Sequence, residues 1–286
     1  MSALGRIFGK KRRAKSGRTA PPPSSRYIEP SKGLLYSAGD SLLNIAETAG
    51  AMAILLGKIL VRAVTFRMDK DELLGNLYRM GVKSMPIVIV TALFTGGIMV
   101  IQAAPLVERL QAHGLLGWGA GFGTLREIAP LLTALMINGR VGANNTAELG
   151  TMVVTEQIDA LRVLAIDPIN FLIAPRFIAV VVTLFVSTVF ADILALFGAS
   201  LVGDALLGVS PIVFYNGLTS GLLGIGDITS GLVKSVMFGV VIGLSSCQFG
   251  LGVKGGAPGV GKAVNATVVA SAAGVFILDY IVSFTL

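Results

Sequence analysis

The sequence predicts an all-α membrane protein, a polytopic helical bundle with about five transmembrane helices. Of its 286 residues, 53% are hydrophobic and only 14% are charged, whereas about a quarter of the residues in soluble domains are charged. Apolar runs of about 20 residues, the length that a helix needs to cross a bilayer, recur along the chain. These runs are continuous and do not alternate with polar residues as barrel strands would, so helices are predicted.

Four spans are predicted directly from apolar runs, at 85–107, 177–202, 228–247 and 264–286. A fifth, at 124–147, has a short apolar centre at 128–137 with charged and amide side chains on both sides of it. Polar residues at membrane depth are tolerated where they face other helices or a water-filled cavity. We therefore expect 124–147 to be a buried helix that lines a cavity.

The distribution of basic residues orients these spans. Most of the 23 Lys and Arg residues lie before Ser84, and short segments rich in Lys and Arg stay in the cytoplasm. With the N-terminus inside, five spans place loops 148–176 and 248–263 inside and loops 108–123 and 203–227 outside. The net charge of +7 is then explained by membrane topology and contact with anionic lipid, and no nucleic-acid partner is expected.

The region before the first span divides into two parts. Residues 1–33, with "KKRRAK" and "PPPSS", are predicted to be a disordered basic cytoplasmic tail. Residues 34–83 are predicted to form interfacial or elbow helices. In 34–67, charged and polar residues are interspersed among apolar ones, as in an amphipathic helix that lies in the membrane interface. A sixth span over 45–64 is the alternative. Residues 84–286 are predicted to form the transmembrane domain.

Short motifs indicate neither nucleotide nor metal binding in this chain. The stretch "GGAPGVGK" at 255–262 fits part of a phosphate-binding loop, but Ala263 stands where Ser or Thr holds magnesium, and a membrane helix stands where a strand should precede it. His113 has no companion ligands nearby. With one His and one Cys, no intramembrane catalytic constellation can be assembled.

Small residues recur every four positions on the fourth span, at Ser235, Gly239, Gly243 and Cys247. A ridge of this kind lets membrane helices approach closely. The ridge is equally consistent with packing within one subunit and with a contact between two copies of the chain.

A charged segment, "TEQIDALRVLAIDP" at 155–168, interrupts the apolar chain between two spans. Thr155 is a suitable N-cap and Asp167-Pro168 ends a helix, so a short helix is predicted here. Helical spacing separates an apolar stripe from charged positions. The stripe contains Ile158, Leu161, Leu164 and Ala165, and the charged positions are Glu156, Asp159 and Arg162. Such a helix either docks in a partner's groove or is an ordinary amphipathic loop helix, and its residues alone favour neither.

Four long stretches follow one another in order between residues 125 and 282: "LREIAPLLTALMINGRVGANNTAELGTM" (125–152), "TEQIDALRVLAIDPINFLIAPRFIAV" (155–180), "VKSVMFGVVIGLSSCQFG" (233–250) and "GVGKAVNATVVASAAGVFILDYIV" (259–282). On these stretches the chain resembles, from about residue 40 to its end, the MlaE family of permeases, the membrane subunits of MCE-type lipid ABC transporters. The first 33 residues lie outside the resemblance.

The resemblance implies a dimer of permease copies with two ABC ATPase subunits, which bind ATP and magnesium, so that no cofactor is expected in this chain. It also implies an MCE-domain protein on the outer face and, in some systems, a STAS-domain subunit. The implied substrate is a phospholipid moved between inner and outer membranes. The implied location is the bacterial inner (plasma) membrane, with a cytoplasmic N-terminus and a periplasmic C-terminus. The cytoplasmic coupling helix would be 155–168, with contacts to the ATPase from Glu156, Ile158, Asp159, Leu161, Arg162 and Leu164.

Four ionisable residues in predicted spans are expected to bind lipid. Arg126 and Glu127 lie near the outer end of the second span, where the resemblance also implies the lipid site; a helix-end pair that reaches the headgroups is the alternative. Asp192 and Lys234 are expected in the outer halves of the third and fourth spans. Because isolated charges at that depth are costly, we expect them to pair with each other or with Arg126 and Glu127.

Two other functions stay open. A proton-coupled secondary transporter would use Glu127 and Asp192 as relays and would need no ATPase. A passive scaffold of an envelope complex would tolerate alanine at Arg126 and Glu127. The lipid, the direction of transport, and whether the partner permease is identical or a paralogue are not specified by the sequence.

Overall fold

The computed structural model describes residues 34–64 and 69–285, and within these ranges every regular element is a helix. The predicted tail at 1–33 lies outside the described residues. In chain order the helices are α1 (Leu34–Val64), α2 (Lys70–Met80), α3 (Met85–Leu110), α4 (Leu116–Gly123), α5 (Ala129–Ile137), α6 (Ala143–Val154), α7 (Gln157–Val163), α8 (Ala174–Leu207), α9 (Pro211–Leu218), α10 (Ile225–Leu251) and α11 (Gly256–Thr285).

Five of the described helical stretches are long and apolar enough to cross a membrane, which confirms the predicted number of spans. The first joins α2 to α3, the second joins α4 to α6, and the third, fourth and fifth are built on α8, α10 and α11. Their bounds are Lys70–Leu110, His113–Val154, Ile169–Leu207, Ile225–Leu251 and Gly256–Thr285. Because consecutive spans run in opposite directions, α7 lies at one end of the bundle, and the end of α3 and the start of α10 lie at the other.

The predicted amphipathic segment forms α1, which is not one of the five spans. The pattern of contacts divides the chain between Glu47 and Thr48. In the part of α1 after this division, Leu55 and Ile59 are buried, whereas Ile54 is 62% exposed. Burial on one side agrees with an amphipathic helix, and its position in the membrane interface stays a prediction.

Close backbone contacts through glycine join α8 to its two main neighbours. A side chain on Gly96 of α3 would collide with the carbonyl oxygen of Ala195, and one on Gly198 of α8 would collide with the carbonyl oxygen of Leu93. Small residues at such crossings allow two membrane helices to pack at van der Waals distance. The α3–α8 contact therefore depends on glycine on both helices.

The small-residue ridge of α10 packs within the subunit. A methyl group on Gly239 would lie 2.9 Å from the Cα atom of Val181 on α8, and one on Gly243 would lie 2.9 Å from the ring of Phe177. Ser235 and Cys247, at the ends of the ridge, are fully buried. Of the two alternatives, packing within one subunit is the one that the structure contains. Because α8 covers this ridge, the ridge is not free to contact a second copy.

The second span is largely buried and polar, as predicted, and two of its polar side chains bond to α11. Asn138 donates from Nδ2 to the carbonyl oxygen of Val268 at 2.9 Å, and Thr146 donates to Thr267 at 2.8 Å. The span contains two π-helical segments, Thr124–Ile128 and Asn138–Gly142. Extra residues in a helical turn of this kind often occur at functional sites, and the first segment contains both Arg126 and Glu127.

The glycine contact gives a test of the fold. Gly96→Ala should destabilise the protein by about 1–3 kcal/mol or more, because the added methyl group meets backbone atoms that cannot move without separating α3 from α8. Gly139→Ala is the matched control, since nothing lies within 4 Å of its added methyl group. Thermal unfolding of both variants in mild detergent measures the difference. Equal stability of the two would show that the α3–α8 crossing does not require glycine.

Candidate functional site

A buried lysine forms the centre of a charged cluster at the end of the bundle away from α7. Lys234 of α10 is fully buried. Its Nζ atom lies 2.5 Å from Oε2 of Glu127 and 3.1 Å from Oδ1 of Asp279 on α11. It also donates to Ser283 at 2.6 Å, and the Ser283 hydroxyl lies 3.1 Å from Oε1 of Glu127. Three spans thus contribute to one cluster, which we call the lysine cluster (Glu127, Lys234, Asp279 and Ser283).

Burial explains why the lysine cluster contains two carboxylates. An ammonium group removed from water needs close anionic partners, and at membrane depth charged groups face the interior of the bundle in pairs. The two carboxylate side chains are not fully enclosed: Glu127 is 35% exposed and Asp279 is 18% exposed. The cluster can therefore hold the three spans together and still present carboxylate oxygens to a bound polar group.

Arg126, the neighbour of Glu127 in sequence, has a different partner. Its Nη1 atom donates to Oδ1 of Asp227 at 2.9 Å, and the guanidinium lies 5.5 Å from the centre of the Phe122 ring. Arg126 and Glu127 thus both contact α10, Arg126 through Asp227 and Glu127 through Lys234. Whether the two residues serve a lipid site or form a helix-end pair at the level of the headgroups stays a prediction.

Asp192 is separate from these charges. It lies on α8 and is 6% exposed, and among the described residues it forms no ion pair, while its Oδ1 atom has no hydrogen-bond partner. The expected pair between Asp192 and Lys234 is therefore wrong, whereas the alternative, Lys234 with Glu127, is confirmed. The reason is that α10 turns Lys234 toward α11 and the second span, where two carboxylates are available.

Three residues of the site, Asp227, Asp279 and Ser283, are not predicted by the sequence, and two of them are ionisable. Asp279 interrupts the last apolar run, and an ionisable residue inside a span is itself a sign of a buried partner. Asp227 stands in the first turn of the fourth span, at the same predicted depth as Arg126. Both positions were visible, but only the folded chain identifies which cation each one meets.

A second cluster of charges lies at the α7 end and joins α2, α6 and α8. Arg176 is 1% exposed, and its Nη1 atom lies 2.8 Å from Oε2 of Glu148 and 3.3 Å from Oδ1 of Asn145. Its Nε atom is 3.8 Å from Glu72, and Arg79 lies 3.7 Å from Glu72 and 3.6 Å from Glu148. A planar guanidinium can bind several acceptors at once, so Arg176 connects three helices near the start of the segment 155–168.

The predicted helix in 155–168 exists but is shorter than expected. It is α7, and Glu156, with a left-handed backbone at φ 59°, precedes its first residue. The predicted N-cap, Thr155, is wrong because its hydroxyl donates to the carbonyl oxygen of Thr151 at 2.8 Å and so completes α6. Asp167 does not end α7 either: its Oδ1 atom accepts the amide of Ile169 at 3.0 Å at the start of the next helical stretch, and its carboxylate lies 3.2 Å from Arg62.

The side chains of α7 point in two directions. Ile158 is 4% exposed and packs in a buried cluster with Ile59 and Phe177. Val163 is 86% exposed and Leu164 is 68% exposed, and we call these two residues the apolar tip. Of the predicted coupling residues, Ile158 therefore anchors the helix, Leu161 is half-buried and Leu164 faces outward.

The charged residues of α7 are also accessible. Asp159 and Arg162 form an exposed ion pair of 2.8 Å, and Glu156 is exposed. An exposed pair of this kind contributes little to stability. The apolar tip beside accessible charges is the kind of surface that docks on a partner, and Val163 was the member of it that the predicted stripe omitted.

Similarity to known proteins extends over most of the chain. The family model described as Permease MlaE matches residues 73–285. A probable ABC transporter permease of Synechocystis sp. is 35% identical over 234 residues, which cover 82% of this chain and 89% of that protein. A probable ABC transporter permease of Rickettsia prowazekii is 35% identical over 250 residues, 87% of this chain and 96% of that protein. The chloroplastic protein trigalactosyldiacylglycerol 1 of Arabidopsis thaliana is 34% identical over 233 residues, 82% of this chain and 66% of that protein.

The lysine cluster can be tested by removing its cation. Lys234→Met should lower the free energy of unfolding by about 3–5 kcal/mol, because Glu127 and Asp279 lose their common partner. Arg126→Met is the comparison; it should cost less, since only one carboxylate, that of Asp227, loses its partner, and the Arg126 side chain is 24% exposed whereas that of Lys234 is fully buried. Thermal unfolding in detergent measures both.

A variant without either the cation or the two carboxylate charges distinguishes the loss of charge pairing from the loss of side-chain packing. Lys234→Met combined with Glu127→Gln and Asp279→Asn should recover much of the stability, because no uncompensated carboxylate then remains. If the triple variant is no more stable than Lys234→Met alone, the cluster does not stabilise the bundle through charge pairing.

Proposed function

This chain belongs to the MlaE permease family, and on that premise we propose that it is the membrane subunit of an ATP-driven phospholipid transporter. Membership makes it a multi-pass membrane permease of the ABC transporter type and a transporter subunit; ATP hydrolysis in a separate partner is part of the proposal. In this proposal a dimer of ABC ATPase subunits binds ATP and magnesium. The observation that carries the proposal is the apolar tip of α7, presented at one end of the bundle beside the Asp159–Arg162 pair.

The apolar tip is suited to receive force from an ATPase. Val163 and Leu164 would fill a groove of the partner, while Glu156, Asp159 and Arg162 would set the register by charge complementarity. Ile158 would keep the helix attached to the permease. Helices that dock by a few apolar anchors commonly use this division of roles.

Arg176 offers a route from α7 into the spans. Because α7 follows α6 after a tight turn and precedes α8, a push on α7 would act on the second and third spans together. Arg176 ties these spans to each other and to α2 through Glu148 and Glu72. The three helices would then move as one body when the ATPases close.

Lipid as the transported substrate is supported by one relative and by the lysine cluster. The Arabidopsis relative is named after trigalactosyldiacylglycerol, a lipid. In this chain, Arg126, Glu127 and Lys234 lie at the end of the bundle opposite α7, and partly exposed Glu127 and Arg126 could contact a polar headgroup there. Asp192 lies apart from these three residues, and we retain lipid binding by Asp192 as a part of the proposal.

The remaining parts of the assembly rest on the family. We propose a second permease copy, with the lipid cavity between the copies, an MCE-domain protein on the outer face and, in some systems, a STAS-domain subunit. The α10 ridge does not contribute to the dimer contact, because α8 covers it. The distribution of Lys and Arg supports a cytoplasmic N-terminus and a C-terminus on the opposite, periplasmic side of a bacterial inner membrane.

Charge in the apolar tip should release the ATPase. Val163→Asp with Leu164→Asp should reduce co-purification of the co-expressed ATPase at least tenfold, since buried anchors of an interface typically contribute about 2 kcal/mol or more each. The permease itself should keep its thermal stability because both side chains are exposed. Leu110→Asp is the matched control, as Leu110 is 65% exposed at the other end of the bundle. Wild-type ATPase binding in the double variant would return α7 to the status of an ordinary loop helix.

ATP dependence separates the proposal from its rival. The complex reconstituted in vesicles should transfer a fluorescent phospholipid with ATP and should stop with a non-hydrolysable analogue. A proton-coupled transporter would continue without ATP hydrolysis, respond to a pH gradient and lose activity in Glu127→Gln and Asp192→Asn. A passive scaffold would transfer no lipid under either condition.

A further inference from the structure

A groove lies at the turn between α10 and α11, at the same end of the bundle as α7 and apart from the lysine cluster. Its volume is about 390 Å³, within the range of pockets that bind small ligands. It is lined by Thr48, Gln248, Phe249, Gly252, Val253, Lys254, Gly259, Lys262, Ala263 and Ala266. The segment "GGAPGVGK", which does not fit nucleotide binding, forms one side of it.

Backbone geometry brings the two lysines to one groove. Gly259, in the first turn of α11, lies so close to the carbonyl oxygen of Lys254 that any larger side chain would collide with it. Lys262 follows Gly259 by three positions, and residues three apart share one face of a helix. The lysine of the turn and the lysine of α11 are therefore held beside the same space.

Charge in this groove is uncompensated. Among its described lining residues two are cationic and none is acidic, and within the described part of the chain neither Lys254 nor Lys262 has an ion-pair partner. Four arginines at this end differ: Arg62, Arg79, Arg162 and Arg176 each have a carboxylate within 4 Å, whereas Arg140 has no ion pair among the described residues. Two adjacent free ammonium groups beside one groove favour an anion.

The floor of the groove is suited to hydrocarbon. Gly252, Ala263 and Ala266 have small or no side chains and leave a channel, and Phe249 and Val253 form its apolar wall. The part of this lining that α11 contributes runs from Gly259 to Ala266, within the fifth span. A basic rim above an apolar channel at a helix end matches a membrane lipid, with the headgroup at the surface and the chain deeper.

We propose that this groove binds one anionic phospholipid, with its phosphate between Lys254 and Lys262 and the first part of an acyl chain along Phe249 and Ala266. The site goes beyond the proposed transport, since it lies at the opposite end of α10 from Lys234 and does not require ATP. Its occupant would be a resident lipid that fastens the α10–α11 turn to the bilayer surface.

Native mass spectrometry of the purified full-length chain tests the site. Phosphatidylglycerol, phosphatidylcholine with the same acyl chains and soluble glycerol phosphate are the three probes. The wild-type protein should retain one phosphatidylglycerol more strongly than phosphatidylcholine and should not retain glycerol phosphate. Lys254→Gln with Lys262→Gln should weaken phosphatidylglycerol binding on the order of tenfold, because each basic residue near a membrane surface adds a substantial attraction to anionic lipid.

Two further variants make the test specific. Lys70→Gln with Lys83→Gln removes the same charge from exposed positions outside the groove and should leave phosphatidylglycerol binding unchanged. Ala266→Phe keeps both lysines but fills the channel, and it should weaken binding of the lipid. Thermal unfolding of each variant verifies that the fold is retained.

Several results would overturn the proposal. Equal retention of the two phospholipids, or unchanged phosphatidylglycerol binding in Lys254→Gln/Lys262→Gln, would exclude a headgroup site at these lysines. Full competition by glycerol phosphate, or no effect of Ala266→Phe, would exclude an acyl chain in the channel. If the double lysine variant keeps its lipid and loses the co-purified ATPase, the lysines contact protein. Failure of the lipid test leaves the ATPase test at the apolar tip unaffected, so the two proposals can fail separately.

Discussion

The close contact of α8 with α3 and α10 is the interaction on which the rest of the bundle depends. In a bilayer, helices gain little from hiding apolar surface, so van der Waals packing must hold them together. Gly96 and Gly198 allow the backbones of α3 and α8 to touch, Gly239 does the same between α10 and α8, and Gly243 of α10 packs on the Phe177 ring of α8. With α8 held on two sides, the polar side chains of the second span and of α10 acquire fixed positions.

Fixed positions make the buried charges tolerable. The lysine cluster and the Arg176 cluster lie at opposite ends of the bundle, and each joins elements that are distant in sequence. Both contain one deeply buried cation with two carboxylates nearby, Glu127 and Asp279 for Lys234, Glu148 and Glu72 for Arg176. Because a misplaced charge at this depth is expensive, each cluster also selects one arrangement of its helices. The end with Arg176 carries α7, and the other end carries the groups proposed to meet a headgroup.

The α7 end combines two surfaces with different chemistry. The apolar tip is exposed hydrocarbon with a balanced ion pair, which is suited to a protein groove. The groove at the α10–α11 turn has two lysines and no acidic residue among its described lining residues, beside apolar side chains, which is suited to lipid. Thr48 of α1 lines the groove, and Leu55 and Lys58 of α1 line a pocket together with Asp159 and Arg162 of α7. A bound lipid and a docked ATPase would therefore act on neighbouring parts of the same end.

The sequence by itself determined the number of spans, the buried character of 124–147, the existence of a short helix in 155–168 and the family, because these depend on local composition, period and long contiguous motifs. It also identified Glu127 and Lys234 as charges that need partners. Only the tertiary structure decided that Lys234 meets Glu127 and Asp279 while Asp192 stands apart, that the α10 ridge faces α8, and that α7 begins after Glu156 with Ile158 inward and Val163 outward. Which side chains meet depends on the rotation and the crossing of helices that are far apart in the chain. A periodic pattern predicts which face of a helix is buried, but it does not predict which other helix covers that face.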